Sequence, residues 1–431
     1  MIDVSLSGSH LSKTKWAIAI FACLAGLYFF SIFQRVGIAV IALDIMNEFG
    51  VDASVTGLMS SMYFFPYALS QIPVGVMLDR IGIRRTILYL SIIACVGTLL
   101  FSMSNSIYAL GLGRALVGFG MGGYYISSLK AIAVWFKPGR FATLTGMLTS
   151  VGNIGSLVAT SPLALLSFTL GWRGAFFIVF GFMLFFTVMA WFVVKDKEDE
   201  YHKSSSSISS DLRMIFTGRK FLVLTLIPLF VYGFFISFQG LWGGPFLMDV
   251  YGASKSEAAT SLLFIGLGFM LLGPVAGFVS DRIERRKPIL VVGVALSLTF
   301  WAMMAFAGNS LTPVTTALTF FILGTSFAFT NIYMTVAKEL FRSQVAGTSM
   351  ACYNVFAFIG AGFFQYLMGV ILNTAYGGAR SFEAYQLILP GGCLDHRLAH
   401  REPDLGRDLQ APSAPKERRL TASPRSLNRI L

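Results

Sequence analysis

Long apolar runs recur along most of the chain, each separated from the next by a short polar break. Runs of about 18 residues or more match the hydrocarbon thickness of a bilayer, whereas the buried helices of soluble domains are shorter. The pattern predicts membrane helices over about 16–40, 54–77, 87–103, 107–129, 142–168 and 174–194. A polar, serine-rich stretch follows, and beyond it helices are expected over about 221–247, 258–279, 288–307, 312–334 and 345–372. The expected fold is an all-α polytopic membrane protein. It has a six-helix bundle over 1–194, a linker over 195–219, a second bundle with five clear spans over 220–390, and a non-membrane tail over 391–431.

Composition strengthens this reading, because 55% of the residues are hydrophobic and only 13% charged, against roughly 25% charged in an average soluble domain. The formal charge of +12 does not imply nucleic acid. With the N-terminus cytoplasmic, the loops on that side collect Lys13, Lys15, Arg80, Arg84, Arg85, Lys130, Arg140, Arg213, Arg282, Arg285, Arg286 and Arg342 among others, while the opposite loops hold only Arg173, Lys255 and Arg380. Positive charge retained on the cytoplasmic side sets membrane topology, so the basic balance reflects orientation. The cysteines Cys23, Cys95, Cys352 and Cys393 lack metal-ligand spacing and read as small buried hydrophobes. His10, His202, His396 and His400 fall in polar segments, out of place for a proton relay across the membrane. No nucleophile triad, metal cluster or phosphate-cradling loop stands out, so neither an enzyme nor a cofactor is expected.

One segment repeats. Gly75-Val-Met-Leu-Asp79-Arg80-Ile-Gly82-Ile-Arg84-Arg85, after the second expected helix, returns about 200 residues later as Gly277-Phe-Val-Ser-Asp281-Arg282-Ile-Glu-Arg285-Arg286-Lys287, after the eighth. A similar spacing relates Arg140 to Arg342 and Asn153 to Asn354. Two six-helix units in parallel repeat account for it. These segments resemble the loop signature of the major facilitator superfamily, and Arg114-Ala-Leu-Val-Gly118-Phe-Gly120 and Gly171-Trp172-Arg173 resemble its other recurrent motifs. The resemblance covers about residues 16–390 and implies two bundles, a midplane cavity between them and alternating access. Within that framework Asp79 is placed to meet the N-terminal end of helix 11 and Arg342, and Asp281 to meet helix 5 and Arg140, in one state of a cytoplasmic gate to which Arg80, Arg84, Arg282 and Arg286 also belong. The alternative is that these charges only anchor short loops at the headgroups.

The first expected helix carries Tyr28, Gln34 and Arg35 in an otherwise apolar run. A permanent charge at mid-membrane costs roughly 2.5–3.5 kcal/mol or more. Asp44, Asp79, Asp249, Asp281 and Glu339 all fall near helix ends or in loops, so the expected counter-charge is the substrate. The segment Gln34-Arg35-Val-Gly-Ile-Ala-Val resembles helix 1 of the organic-anion and sugar-phosphate branches of the superfamily, which implies that Arg35 binds a carboxylate or phosphate. Those relatives often carry an acid where Gln34 stands, so their proton coupling does not carry over directly. A guanidinium fork suits a planar carboxylate or a phosphate better than a neutral sugar; the alternative is a structural bond from Arg35 to backbone carbonyls or tyrosines. Further substrate-binding candidates are Arg114, equally a packing or proton-transfer residue, and Tyr28, two turns before Arg35. Tyr63 and Tyr67 share one helical face, as do Tyr232 and Gln239 on helix 7. Asn153 and Asn354 read either as cavity residues or as interhelical hydrogen-bond partners. Trp242, beside the Gly-Gly-Pro245 break that lets helix 7 bend, reads as an interface anchor.

The sequence thus points to a secondary transporter of a small organic anion (a carboxylate, sugar acid or sugar phosphate) in a bacterial plasma membrane, acting as a monomer, with a proton or sodium ion as a candidate coupling partner. A membrane sensor built on the same fold and a proton-driven drug exporter are the alternatives. Ser161-Pro162 stands where the antiporter signature has Gly-Pro, which weighs against drug export. Phe382 to Leu389 begins like a twelfth span, but from Pro390 the chain turns rich in Arg, Pro, Asp and Ser. Two readings fit: a frameshift near residue 390, giving a non-functional product, or a real polar extension.

Overall fold

The computed structural model describes residues 5–137, 140–196, 219–283, 285–307, 310–340, 346–375 and 380–389. Among the described residues the chain is helical, with no strand. In the first half α1 comprises Ser5–Val36 and, past Gly37, Ile38–Phe49; α2 comprises Ala53–Ser61 and Phe64–Arg80; α3 is Gly82–Met103; α4 comprises Ile107–Met121 and Tyr124–Trp135. α5 comprises Phe141–Val158 and the part of Ser161–Val193 before a kink at Gly171, where α6 begins. In the second half α7 comprises Arg219–Leu226, Gly233–Ser237 and Gly243–Tyr251, joined by π-helical stretches at Ile227–Tyr232 and Phe238–Trp242. The remainder are α8 (Lys255–Ile283), α9 (Arg286–Ala307), α10 (Pro313–Thr330 and Tyr333–Glu339), α11 (Ala346–Thr374) and the seven-residue α12 (Phe382–Ile388). The linker from 197 to 218 and the tail from 390 onward, frameshifted or not, lie outside the described residues.

Eight of the described stretches are long and apolar enough to cross a membrane. Fewer qualify than the hydrophobic pattern predicts because α2, α4 and α5 are interrupted, at Met62–Tyr63, Gly122–Gly123 and Ala159–Thr160. Two of these breaks have a direct cause. Pro66 offers no N–H to the carbonyl of Met62 and Pro162 none to that of Val158, so the helical ladder is cut one turn before each proline.

The internal repeat reappears as packing. In the first half α1 lies on α5, α2 on α4 and α3 on α4; six helices later α7 lies on α11, α8 on α10 and α9 on α10. The halves meet through α1, α2 and α5 on one side and α7, α8 and α11 on the other. Large apolar side chains on α6 and α9, such as Phe185, Phe192, Val291 and Leu298, are exposed, as expected of helices whose solvent is lipid. Cys23, Cys95 and Cys352 are buried as expected, and Cys393 lies outside the described residues.

The two ends of the bundle differ. One carries the N-terminus and the basic loops and is called the basic end here. At the other, the far end, turns are short and capped: Asp52 accepts from the N–H of Val55 at 2.9 Å and Ser106 from that of Ala109 at 3.2 Å. The Gly171-Trp172-Arg173 motif makes its corner there. Gly171 adopts φ 71°, which favours glycine, and the turn delivers Trp172 Nε1 to Glu48 at 2.8 Å and Arg173 to the same carboxylate and to the Ser104 carbonyl. At the basic end Gly82, with φ 85°, lets the chain turn tightly against Asp196, whose carboxylate accepts from the Arg84 N–H at 3.0 Å.

Candidate functional site

Between the halves lies a cavity of about 250 Å³. The first half lines it with Tyr28 and Arg35 from α1, Tyr67 from α2, Tyr125 from α4, and Thr149, Asn153 and Ser156 from α5. The second half adds Tyr232 and Gln239 from α7, Gly266 and Phe269 from α8, Phe327, Asn331 and Tyr333 from α10, and Asn354 and Phe358 from α11. The two π-helical stretches of α7 carry Tyr232 and Gln239. Such wide turns break the regular ladder and are frequent where a helix serves a site.

Among the described residues, Arg35 is the one charged residue lining the cavity. It is buried, and its guanidinium donates to the Tyr232 hydroxyl at 3.0 Å, a bond that joins α1 of one half to α7 of the other. The guanidinium carbon stands 4.7 Å from the centre of the Phe358 ring and 5.3 Å from that of Tyr67, so aromatic faces hold it on two sides. Among the described residues no acid meets this cation, so its charge faces the cavity held by neutral rings and one hydroxyl, and a guanidinium fork suits a carboxylate or phosphate.

Of the residues singled out from the sequence, Tyr28, Arg35, Tyr67, Asn153, Tyr232, Gln239 and Asn354 come together on this cavity. Gln34, Tyr63 and Arg114 do not line it; they form a polar core inside the first bundle. Gln34 donates to Thr98 at 3.1 Å, Tyr63 to the Ser31 carbonyl at 3.1 Å, and Arg114 to the Gln34 carbonyl at 2.8 Å while lying over the Tyr63 ring. Gln34 and Arg35 are adjacent, so their side chains leave α1 in different directions, one into its own bundle and one toward the partner half. Trp242 corrects an expectation. It is fully buried rather than at an interface with headgroups, and its Nε1 donates to the Gln365 carbonyl at 3.0 Å, tying α7 to α11. Residues that sequence reasoning missed had a signal: Thr149 and Ser156 share the helical face of Asn153, and Phe358 that of Asn354.

The cavity is sealed at the far end by backbone contact across the two halves. A Cβ at Gly244 would meet the Ala39 carbonyl at 2.1 Å, one at Gly369 the Ala53 carbonyl at 2.4 Å, and one at Gly57 the Gln365 carbonyl at 2.7 Å. An ion pair between Lys255 of α8 and Asp44 of α1, supported by Ser167 at 2.8 Å, crosses the same seam. Toward the basic end, among the described residues and apart from the helix that carries each glycine, nothing stands within 4 Å of where a Cβ would lie at Gly75, Gly146, Gly273 or Gly277. Among the expected gate residues, Arg342 and the side chains of Asp79 and Asp281 lie outside what is described. Arg80, Arg140 and Arg282 are exposed. Arg84 instead braces its own half, donating to the Trp191 carbonyl at 3.0 Å, and Arg286 pairs with Glu339 at 3.0 Å within the second half.

The sequence model of the Major Facilitator Superfamily matches residues 24–365. The chain belongs to this superfamily. A probable sulfoacetate transporter of Cupriavidus necator is 27% identical over 79% of this chain and 84% of its own. The hexuronate transporter of Bacillus subtilis is 24% identical over 78% of this chain and 83% of its own. Among solved structures, a bacterial homologue of the human lysosomal transporter Spinster, inward-facing and unoccupied, aligns with a TM-score of 0.68 at 21% identity, covering 84% of each chain. A nucleoside transporter aligns with a TM-score of 0.73 at 12% identity, covering 88% of this chain and 98% of its own. These structures share the fold, and the superfamily member described here is a multi-pass membrane protein whose curated relatives are transporters.

Proposed function

We propose that this superfamily member moves a small organic anion across a bacterial inner membrane by alternating access, with Arg35 as the ligand of its carboxylate, sulfonate or phosphate group. The single observation that carries the reading is the guanidinium of Arg35, neutralised by no acid among the described residues and facing a cavity lined by both halves. Tyr28, Tyr67, Asn153, Tyr232, Gln239 and Asn354 supply hydroxyl and amide groups around it for the rest of the substrate. Relatives bearing the names of sulfoacetate, hexuronate and L-galactonate transporters support an acidic substrate. With the basic end cytoplasmic by the positive-inside rule, the close backbone packing across the far end supports an inward-facing carrier. In this reading the repeated Asp79 and Asp281 motifs close the basic end in the opposite state, with Arg140 and Arg342 as their partners.

The test is ligand-dependent melting of the purified protein with carboxylates, sulfonates, sugar acids, sugar phosphates, neutral sugars and cationic drugs. An anion binding only the folded state at 100 times its dissociation constant stabilises by about 2.7 kcal/mol. Stabilisation by an anion and its loss in Arg35→Gln is the expected result. Stabilisation by a neutral or cationic ligand that survives Arg35→Gln would overturn the reading.

A further inference from the structure

The seam that seals the far end also encloses a polar side chain that its packing leaves unbonded. Gln365 of α11 is fully buried, and neither the nitrogen nor the oxygen of its amide has a hydrogen-bond partner among the described residues. Its backbone carbonyl, by contrast, accepts from Trp242 Nε1 of α7 at 3.0 Å and stands 2.7 Å from where a Cβ on Gly57 of α2 would lie. The amide nitrogen and the backbone carbonyl of Arg35 lie 3.3 and 2.9 Å from a single point, the place of a Cβ on Gly240. The amide is therefore enclosed where α1 and α2 of the first half meet α7 and α11 of the second.

An amide offers two donors and an accepting oxygen, and water satisfies all of them. Burying it with none of these bonds made is strongly unfavourable. Arg114 also keeps unpartnered nitrogens, but it lies inside the first bundle, against α1 and α2, where a rigid-body change of access leaves its neighbours in place. Gln365 differs because both halves build its enclosure. When the far-end seam parts, the glycine contacts that keep water from the amide are the ones that separate, and water from the far side supplies the missing bonds. The penalty falls on the sealed state alone.

We propose that Gln365 is a counterweight built into the far-end gate: its unbonded amide opposes the close glycine packing and the Lys255–Asp44 pair, so that the sealed end opens. This rests on the alternating-access reading and not on the identity of the substrate. Close backbone packing by itself favours a shut far end. The amide narrows the free-energy gap between two states that a carrier must visit in turn. An apolar side chain of similar shape removes the penalty while keeping the packing.

The test uses the full chain in detergent with a single reporter cysteine, at the far-end seam or at the basic end, in the parent, Gln365→Met, Gln365→Leu and Gln365→Asn. Modification by maleimide at the seam follows the fraction of time for which the seam is open. Either apolar variant should therefore label about 5- to 150-fold more slowly there, and no more slowly at the basic end, while Gln365→Asn, which keeps an amide, labels close to the parent rate. Equal or faster far-end labelling in both apolar variants would overturn the proposal. Slowing at both ends, or equal slowing in Gln365→Asn, would overturn it too, by assigning the effect to packing. The assay contains no substrate, so slowed far-end labelling in a protein that no anion stabilises would uphold Gln365 as the counterweight while Arg35 failed as an anion ligand.

Discussion

The hydrogen bond from Arg35 to Tyr232, one of the contacts that join the two halves at the cavity, depends on one oxygen atom. Tyr232 accepts from Arg35 while its ring lies against Phe327 and Phe358, so Tyr232→Phe removes the acceptor and leaves the packing in place. A hydrogen bond to a charged group contributes about 1.5–3 kcal/mol. If that bond aims the guanidinium at the anion, Tyr232→Phe lowers anion affinity by roughly 10- to 100-fold, measured by calorimetric titration, with little change in the melting temperature of the unliganded protein. Affinity equal to the parent's would show that the rings alone orient Arg35. At this scale the sequence was partly legible. A charge in an apolar run announces itself, which is why Arg35 stood out, and Arg114 did so for the same reason. What a single helix cannot reveal is which of its faces looks across the seam. Arg114, Gln34 and Tyr63 satisfy one another inside the first bundle, and only the packing of α1, α2 and α4 separates them from Arg35.

At the scale of elements, the repeated motif and the glycines have clear structural roles. Hydropathy placed the helices well because each run must bury its backbone polar groups within itself, whatever its neighbours do. It missed the interruptions of α2, α4 and α5 because a break of two residues leaves mean hydropathy unaltered. It also missed that Arg84 and Arg286 brace their own halves, since bonds of that kind depend on where α6 and α10 end. The seam glycines yield a prediction of direction. Gly244→Ala places a methyl 2.1 Å from the Ala39 carbonyl, so α7 and α1 must separate at the far end, whereas the opposite-facing state of the proposed cycle, with this seam parted, would tolerate the methyl. Overpacking of this kind costs typically 1–3 kcal/mol. A single reporter cysteine at the seam should therefore become about 5- to 100-fold more available to a membrane-impermeant maleimide in Gly244→Ala. Unchanged labelling would mean that the backbone relaxes without opening.

For the whole molecule, the proposed alternating-access cycle makes the balance between its two states depend on what holds each end shut. In this state the far end is held by backbone packing through glycine and by the ion pair of Lys255 with Asp44, which links α8 of one half to α1 of the other. The pair is partly exposed, with side-chain accessibilities of 23% and 39%, so its contribution is that of a screened surface bridge, about 0.2–1 kcal/mol, rather than that of a buried one. Neutralising it with Asp44→Asn should leave the fold intact and move the access equilibrium toward the far side by no more than about fivefold. The shift should shrink as salt rises, because the Debye length falls to about 3 Å at 1 M. Lys255→Met should reproduce the shift, and combining the two should add little, since either change alone removes the pair. The measurement is the labelling ratio of reporter cysteines at the two ends, taken at low and high salt for the parent, the single variants and the double variant. Additive effects would mean that Asp44 and Lys255 act through separate partners, such as Ser167, and that the far end is closed by helix packing alone.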